Sequence, residues 1–240
     1  MSGHSHWAGI KHHKGINDAK RAAIFTKYGR GIIVAAQHGG GNPDTNFALR
    51  LAIDQARAVN MPKENIERAI KRGTGELKDG AIIENILYEG YGPGHVAMII
   101  QTTTDNRNRT VSEIKSLFTK AGGKIGAIGS VAFLFKQAGE IIIDHTGKDR
   151  DTAELDTIDA GAEDTETIEE NILAVYVPFE NLKTVKDILE AKGYTIKSAE
   201  LSYRPIQTTV LDAKSREQYD AFFEQIEDHQ DVQRVWDNLN

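Results

Sequence analysis

The sequence predicts an α+β protein of three domains: an N-terminal three-helix basic domain followed by two ferredoxin-like α/β sandwiches, the second inserted in the first. Three observations carry this. Apolar residues up to Gly75 recur at helical spacing, and from Ala81 on they fall in short strand-like runs. Residues 139–204 read β-α-β-β-α-β, the ferredoxin-like order. The elements on either side of that block read β-β-α-β and β-α-β, two pieces that complete each other. The domain boundaries that follow are a basic arm at 1–16, a helical domain at 17–78, an α/β domain at 79–138 plus 205–240, and the insertion at 139–204.

In order, Ile16 and Asn17 supply an N′ hydrophobe and an N-cap for a first helix running to Gln37. Ile24, Tyr28, Ile32 and Ala35 share one face, and Lys20, Lys27 and Arg30 are expected to point outward from the opposite one. The loop HGGGNPD precedes a second helix from Asp44 to Val59, and Pro62 opens a third that Gly73 and Gly75 stop. Ile82–Tyr91 and His95–Thr103 form a hairpin around Gly92-Pro93-Gly94. A helix capped by Asp105 or Asn106 runs to Ala121, and Val131–Phe135 is expected as a strand. The insertion has strands at Glu140–Asp144, Ala162–Ile168, Asn171–Val177 and Thr195–Tyr203, with helices at Asp151–Ala160 and from Pro178 to Lys192. Gln207–Leu211 is expected as a strand, followed by a helix at Lys214–Asp228 and a strand at Asp231–Leu239.

Charge is distributed unevenly. Residues 1–80 hold thirteen Lys/Arg against seven Asp/Glu, a net +6, although the whole chain is −6. The remainder is therefore −12, so a polyanion is drawn to the first third and repelled by the rest. Met1–Arg30 alone carries six Lys/Arg and one acid. Its Gly/His/Lys composition to Gly15 suits an arm that orders on nucleic acid. The chain has no cysteine, which excludes disulfides and thiolate chemistry. It lacks an apolar run of the ~18–20 residues a membrane span needs and an apolar signal region. A cytoplasmic protein is expected.

Candidate motifs have competing readings. His4, His6, His12 and His13 cluster, but no cysteine or acid joins them at a standard metal spacing, so no metal is expected. Gly90–Gly94 joins two strands and precedes no helix, so it reads as a turn and not a dinucleotide loop. Thr102–Thr110 opens a helix next to Arg107 and Arg109. It reads either as an anion site or as a capped turn. The acids from Asp149 to Glu170 lack a paired strand-end arrangement and read as a solvated surface. No catalytic constellation, P-loop or nucleophile elbow is present, so neither an enzyme nor a cofactor is expected.

The residues point to a nucleic-acid binder. The contacts expected are Lys11, His12, His13, Lys14, Lys20, Arg21, Lys27 and Arg30 from the arm and first helix, Lys63, Arg68, Lys71 and Arg72 from the third, and Arg107 and Arg109 as a second patch. Trp7 and Tyr28 read either as stacking or as core residues. With no helix-turn-helix apparent, the arm suits folded RNA better than the major groove of DNA. Expected partners are ribosomal RNA or tRNA, with the ribosome, or else promoter DNA; neither a membrane nor a small-molecule substrate is expected. The alternatives are a metal-dependent hydrolase or a protein-interaction module using the acidic domains.

The strings GHSHWAGIKHHKGINDAKRAAIFTKYGRGI at 3–32, NMPKENIERAIKRGTG at 60–75, YEGYGPGHVAMI at 88–99 and TDNRNRTVSEI at 104–114 closely resemble the YebC family, which includes the mitochondrial translational activator of cytochrome oxidase. The resemblance runs nearly end to end and is weakest over 139–204. It implies a non-enzymatic cytosolic protein of three domains. It also implies a role either as a DNA-binding transcriptional regulator or as a ribosomal translation factor that eases difficult stretches such as proline runs near the peptidyl-transferase centre.

Overall fold

A computed structural model describes residues 18–77 and 83–240, with side chains from Arg21 onward. The arm, with its histidines, Trp7, Lys11 and Lys14, lies outside the described residues, as does the side chain of Lys20. The chain forms two compact units, Met1–Phe135 with Pro205–Asn240, and Lys136–Arg204.

The first unit begins with α1 (Asp18–Gly39), α2 (Phe47–Ala58) and α3 (Lys63–Gly73). Gly29 and Gly31 do not interrupt α1, because its buried face sets the conformation: Tyr28, Ile32, Ile33 and Ala36 pack against Leu49, Ile53 and Ile66. Asn46 ties two helices together. Its Oδ1 accepts from Leu49 N at 3.1 Å and caps α2, while its Nδ2 donates to Ala35 O and Gly40 O at the end of α1, both at 2.8 Å.

The same unit holds an antiparallel sheet in the order β3-β1-β2-β8, from β1 (Glu84–Tyr91), β2 (Ala97–Thr104), β3 (Lys124–Ile125) and β8 (Val232–Asp237). Helices α4 (Arg107–Lys120) and α7 (Ala213–Glu227) cover it with Ile114, Phe118, Tyr219, Phe222 and Ile226. Phe118 and Phe222 meet edge-on at 4.9 Å. Gly94, at φ 70°, turns the β1–β2 hairpin, and a Cβ there would lie 2.5 Å from Leu211 Cδ2.

Two expected strands are corrected. Val131–Phe135 does not extend through the sheet; Ala132–Leu134 is a 3-10 turn. The N–H groups of Val131 and Ala132 donate to the Glu89 carboxylate at 2.8 and 2.9 Å and so are lost to any ladder. Gln207–Leu211 makes only an isolated parallel bridge, Thr209 with Leu239, and Val210 is exposed.

The second unit contains β4 from Lys136 on (Phe135–Asp144), α5 (Arg150–Ala160), β5 (Asp164–Glu169), β6 (Ile172–Val177), α6 (Leu182–Ala191) and β7 up to Arg204 (Thr195–Pro205). The order β5-β6-β4-β7 is the ferredoxin-like arrangement, with β4 and β6 antiparallel from Gly139↔Val177 to Asp144↔Ile172. β6 is buried along its full length, so it reads as the continuous apolar run ILAVYV and does not alternate.

Candidate nucleic-acid interface

The basic residues of the first unit divide into those that hold the fold together and those that face solvent. Arg30 belongs to the first group. It is buried, its Nη1 bonds Asp231 Oδ1 and donates to Gln230 O at 3.2 Å, and Asp105 lies 3.6 Å from its Nη2. Lys27, half-buried on the same helix, donates from Nζ to Glu227 O at 3.3 Å. Burial pulls its ammonium below the usual lysine range, against the opposing pull of Glu227 and Asp228. The expectation that Lys27 and Arg30 point outward is therefore corrected. Helix α1 is covered on two sides, and these cations satisfy the carbonyls at and beyond the end of α7.

Arg109 is held in the same place. Its Nη2 donates to Asp231 at 2.9 and 3.2 Å and to Asp105 at 3.1 Å. The Thr110 hydroxyl donates to Asp231 Oδ2 at 2.6 Å, and Asn106 caps α4 by accepting from Arg109 N at 3.0 Å. The start of α4 already has an anion, and it is the chain's own Asp231. Burial pushes the Asp231 carboxyl up, but Thr110, Arg109 and Arg30 outweigh it and hold the pKa below the ordinary value. Of the two readings of Thr102–Thr110, the geometry matches the capped turn.

Glu113 and His229 complete a group with Asp231 whose ligand atoms lie within 4.8 Å of one another. Two arginines and a threonine already engage Asp231, and His229 Nδ1 accepts from Asp231 N at 3.2 Å, so the donor set does not suit a cation.

Of the expected contacts, those that face solvent are Arg21 on α1, Lys63, Arg68 and Lys71 on α3, and Arg107 at the start of α4. Arg72 is half-buried. Among the described residues, no hydrogen bond or ion pair engages the side chains of Arg68, Lys71 or Arg107. Lys63 lies 3.6 Å from Glu67, an exposed pair worth little. Between α1 and α3 runs an open cavity of about 540 Å³. Its walls include Phe25, Met61 and Ala69, and Arg68 and Arg72 also line it. Apolar walls beside guanidinium groups suit a base with its phosphate.

Several acids of the second unit are matched within it. Asp156 accepts from Lys192 Nζ and the Tyr194 hydroxyl, both at 2.6 Å, and its pKa falls to about 2. Asp144 pairs with Lys197, and Asp164 with Arg204.

Weighing charge over whole thirds of the chain missed Lys115, Lys120 and Lys124, all exposed. The available signal was the 26-residue run 114–139, which has four lysines and no Asp or Glu within the acidic part of the chain.

Two family models match the chain: the TACO1/YebC protein N-terminal domain over residues 5–76, and the TACO1/YebC second and third domain over 83–239. The chain belongs to the TACO1/YebC family. A relative from Dictyoglomus turgidum is 47% identical over 241 residues, covering 100% of this chain and 96% of the relative. One from Thermotoga maritima is 48% identical over 240 residues, covering 100% and 94%. Both are named "Probable transcriptional regulatory protein". A crystal structure of a conserved hypothetical protein from Aquifex aeolicus has a TM-score of 0.86 at 43% identity, covering 98% of this chain and 97% of that one. The TACO1/YebC fold is thus an N-terminal helical domain followed by two antiparallel sheets. No helix among the described residues is long and apolar enough to cross a membrane.

Proposed function

We propose that the protein is a non-enzymatic, cytoplasmic regulator of gene expression that binds nucleic acid through its N-terminal third, with structured RNA on the ribosome as its target. The observation that carries this reading is the set of exposed cations on the helical elements, Arg21, Lys63, Arg68 and Lys71, together with the basic composition of residues 1–16 in a chain that is net acidic. The names of the relatives favour regulation and leave DNA open as a target. RNA is preferred on physical grounds. DNA readers commonly place a recognition helix in the major groove, whereas an arm and a groove with aromatic and guanidinium walls suit splayed-out bases.

The test is fluorescence anisotropy of the full chain against a labelled ribosomal RNA hairpin and a promoter duplex, each across a salt series. Tighter binding to the hairpin, with a salt slope that falls in an Arg68→Glu/Lys71→Glu variant, is the expected result. Preference for the duplex restores the transcriptional reading, and binding to neither removes nucleic acid from the account.

A further inference from the structure

A second surface of the first unit has the features of a nucleic-acid contact. The chain leaves β3 at Ile125 and makes an uncharged loop, Gly126–Ser130. Its tip residue, Ile128, is 89% exposed. Exposed isoleucines are ordinary on floppy loops, but this loop is braced. Glu89, buried in β1, accepts from Gly129 N at 2.7 Å through one carboxylate oxygen, and from Val131 N and Ala132 N at 2.8 and 2.9 Å through the other. Gly126 N donates to Glu89 O at 2.8 Å, and Ser130 N to Ala127 O at 3.0 Å. A buried carboxylate thus fixes a loop whose apolar tip contributes nothing to the core.

The surroundings of the loop indicate its partner. Lys120, at the end of α4, and Lys124, at the start of β3, are exposed, and among the described residues no hydrogen bond or ion pair engages their side chains. Lys124 is four residues from Ile128, within about 14 Å even for extended chain. No acid occurs between Glu113 and Glu140. Proteins can press an apolar wedge against bases while nearby cations hold the phosphates.

We propose that loop 126–130 is a second RNA contact, in which Ile128 presses against an unstacked base while Lys120 and Lys124 hold the flanking phosphates. This rests on the reading that the protein binds RNA. It differs in placing a contact outside the basic N-terminal third, on the first sheet.

The probe is an RNA hairpin carrying 2-aminopurine in its loop, titrated with the full chain. The wild type should bind and raise 2-aminopurine fluorescence severalfold as the base leaves its stack. Ile128→Ser should abolish the rise, Lys120→Glu/Lys124→Glu should weaken binding about tenfold, and Glu89→Gln should reduce the rise by loosening the brace. Val210→Ser, an exposed apolar residue elsewhere in the unit, should change neither reading. A wild type that binds while Ile128→Ser gives an undiminished rise overturns the wedge and leaves the broader reading standing. That result would turn the loop over to a protein partner. A wild type that does not bind the hairpin overturns both.

Discussion

Arg30 and Asp231 form a buried ion pair across 201 positions of sequence, joining α1 to the residue that precedes β8. Arg109 binds both oxygens of the same carboxylate, so one acid is shared by two guanidinium groups on different helices. Helix α1 is tied to the edge of the first sheet through this group.

Removing Asp231 leaves Arg30 buried without its partner. Asp231→Ala should destabilise the fold by about 3–5 kcal/mol, the usual effect of breaking a buried pair from one side. Urea denaturation of Asp231→Ala, Arg30→Met and the double variant should show strong coupling, with the double variant far less destabilised than the sum. Asp231 has a lowered pKa in the fold. Its stabilisation is present above the unfolded value of about 3.9 and is lost as pH falls through the folded one.

The exposed cations should behave in the opposite way. Arg68→Glu/Lys71→Glu should leave stability within about 0.5 kcal/mol of wild type, since neither side chain supports the fold. The variant should bind RNA at least about tenfold more weakly, with a salt slope shallower by roughly 0.7 per lost phosphate contact. Thermal melts and anisotropy on the same preparation separate these effects from those of Arg30→Glu, which should unfold.

The inserted unit has its own acid sensitivity. Asp156 titrates at about 2, held down by Lys192 and Tyr194, against about 3.9 when unfolded. Its contribution is fully present above pH 4 and is lost between about pH 4 and 2. Acid titration followed by NMR of residues in α5 and α6 should show this loss, and Asp156→Asn should remove the dependence while lowering stability at neutral pH.

At Gly73, α3 packs directly against α1. A Cβ there would lie 2.5 Å from Ile33 O and 2.6 Å from Ala36 Cβ. Gly73→Ala should destabilise by about 1–3 kcal/mol through overpacking, although alanine favours helix. Differential scanning calorimetry checks the sign.

The sequence reading succeeded where local signals agreed with packing. The three helices, the Asn106 cap of α4, one of the two offered, and the ferredoxin-like order of 139–204 follow from periodicity and punctuation, whereas the Asn46 cap of α2 was not read. It failed where a distant residue decided the outcome. Val131–Phe135 has strand composition, but Glu89, some 42 positions away, takes its donors. Arg30 lies opposite the apolar stripe of α1, and periodicity gives no sign that Asp231 awaits it there. Charge separated the acidic and basic parts of the chain, yet could not distinguish a cation that binds a partner from one that binds its own fold.

The most direct test of the central claim is crosslinking in living cells, followed by sequencing of the bound nucleic acid, for the wild type beside Arg21→Glu/Lys63→Glu/Arg68→Glu/Lys71→Glu. We expect reads concentrated in ribosomal RNA or tRNA that are lost in the variant while its cellular level stays normal. Reads unchanged in the variant, or absent in the wild type, would contradict it.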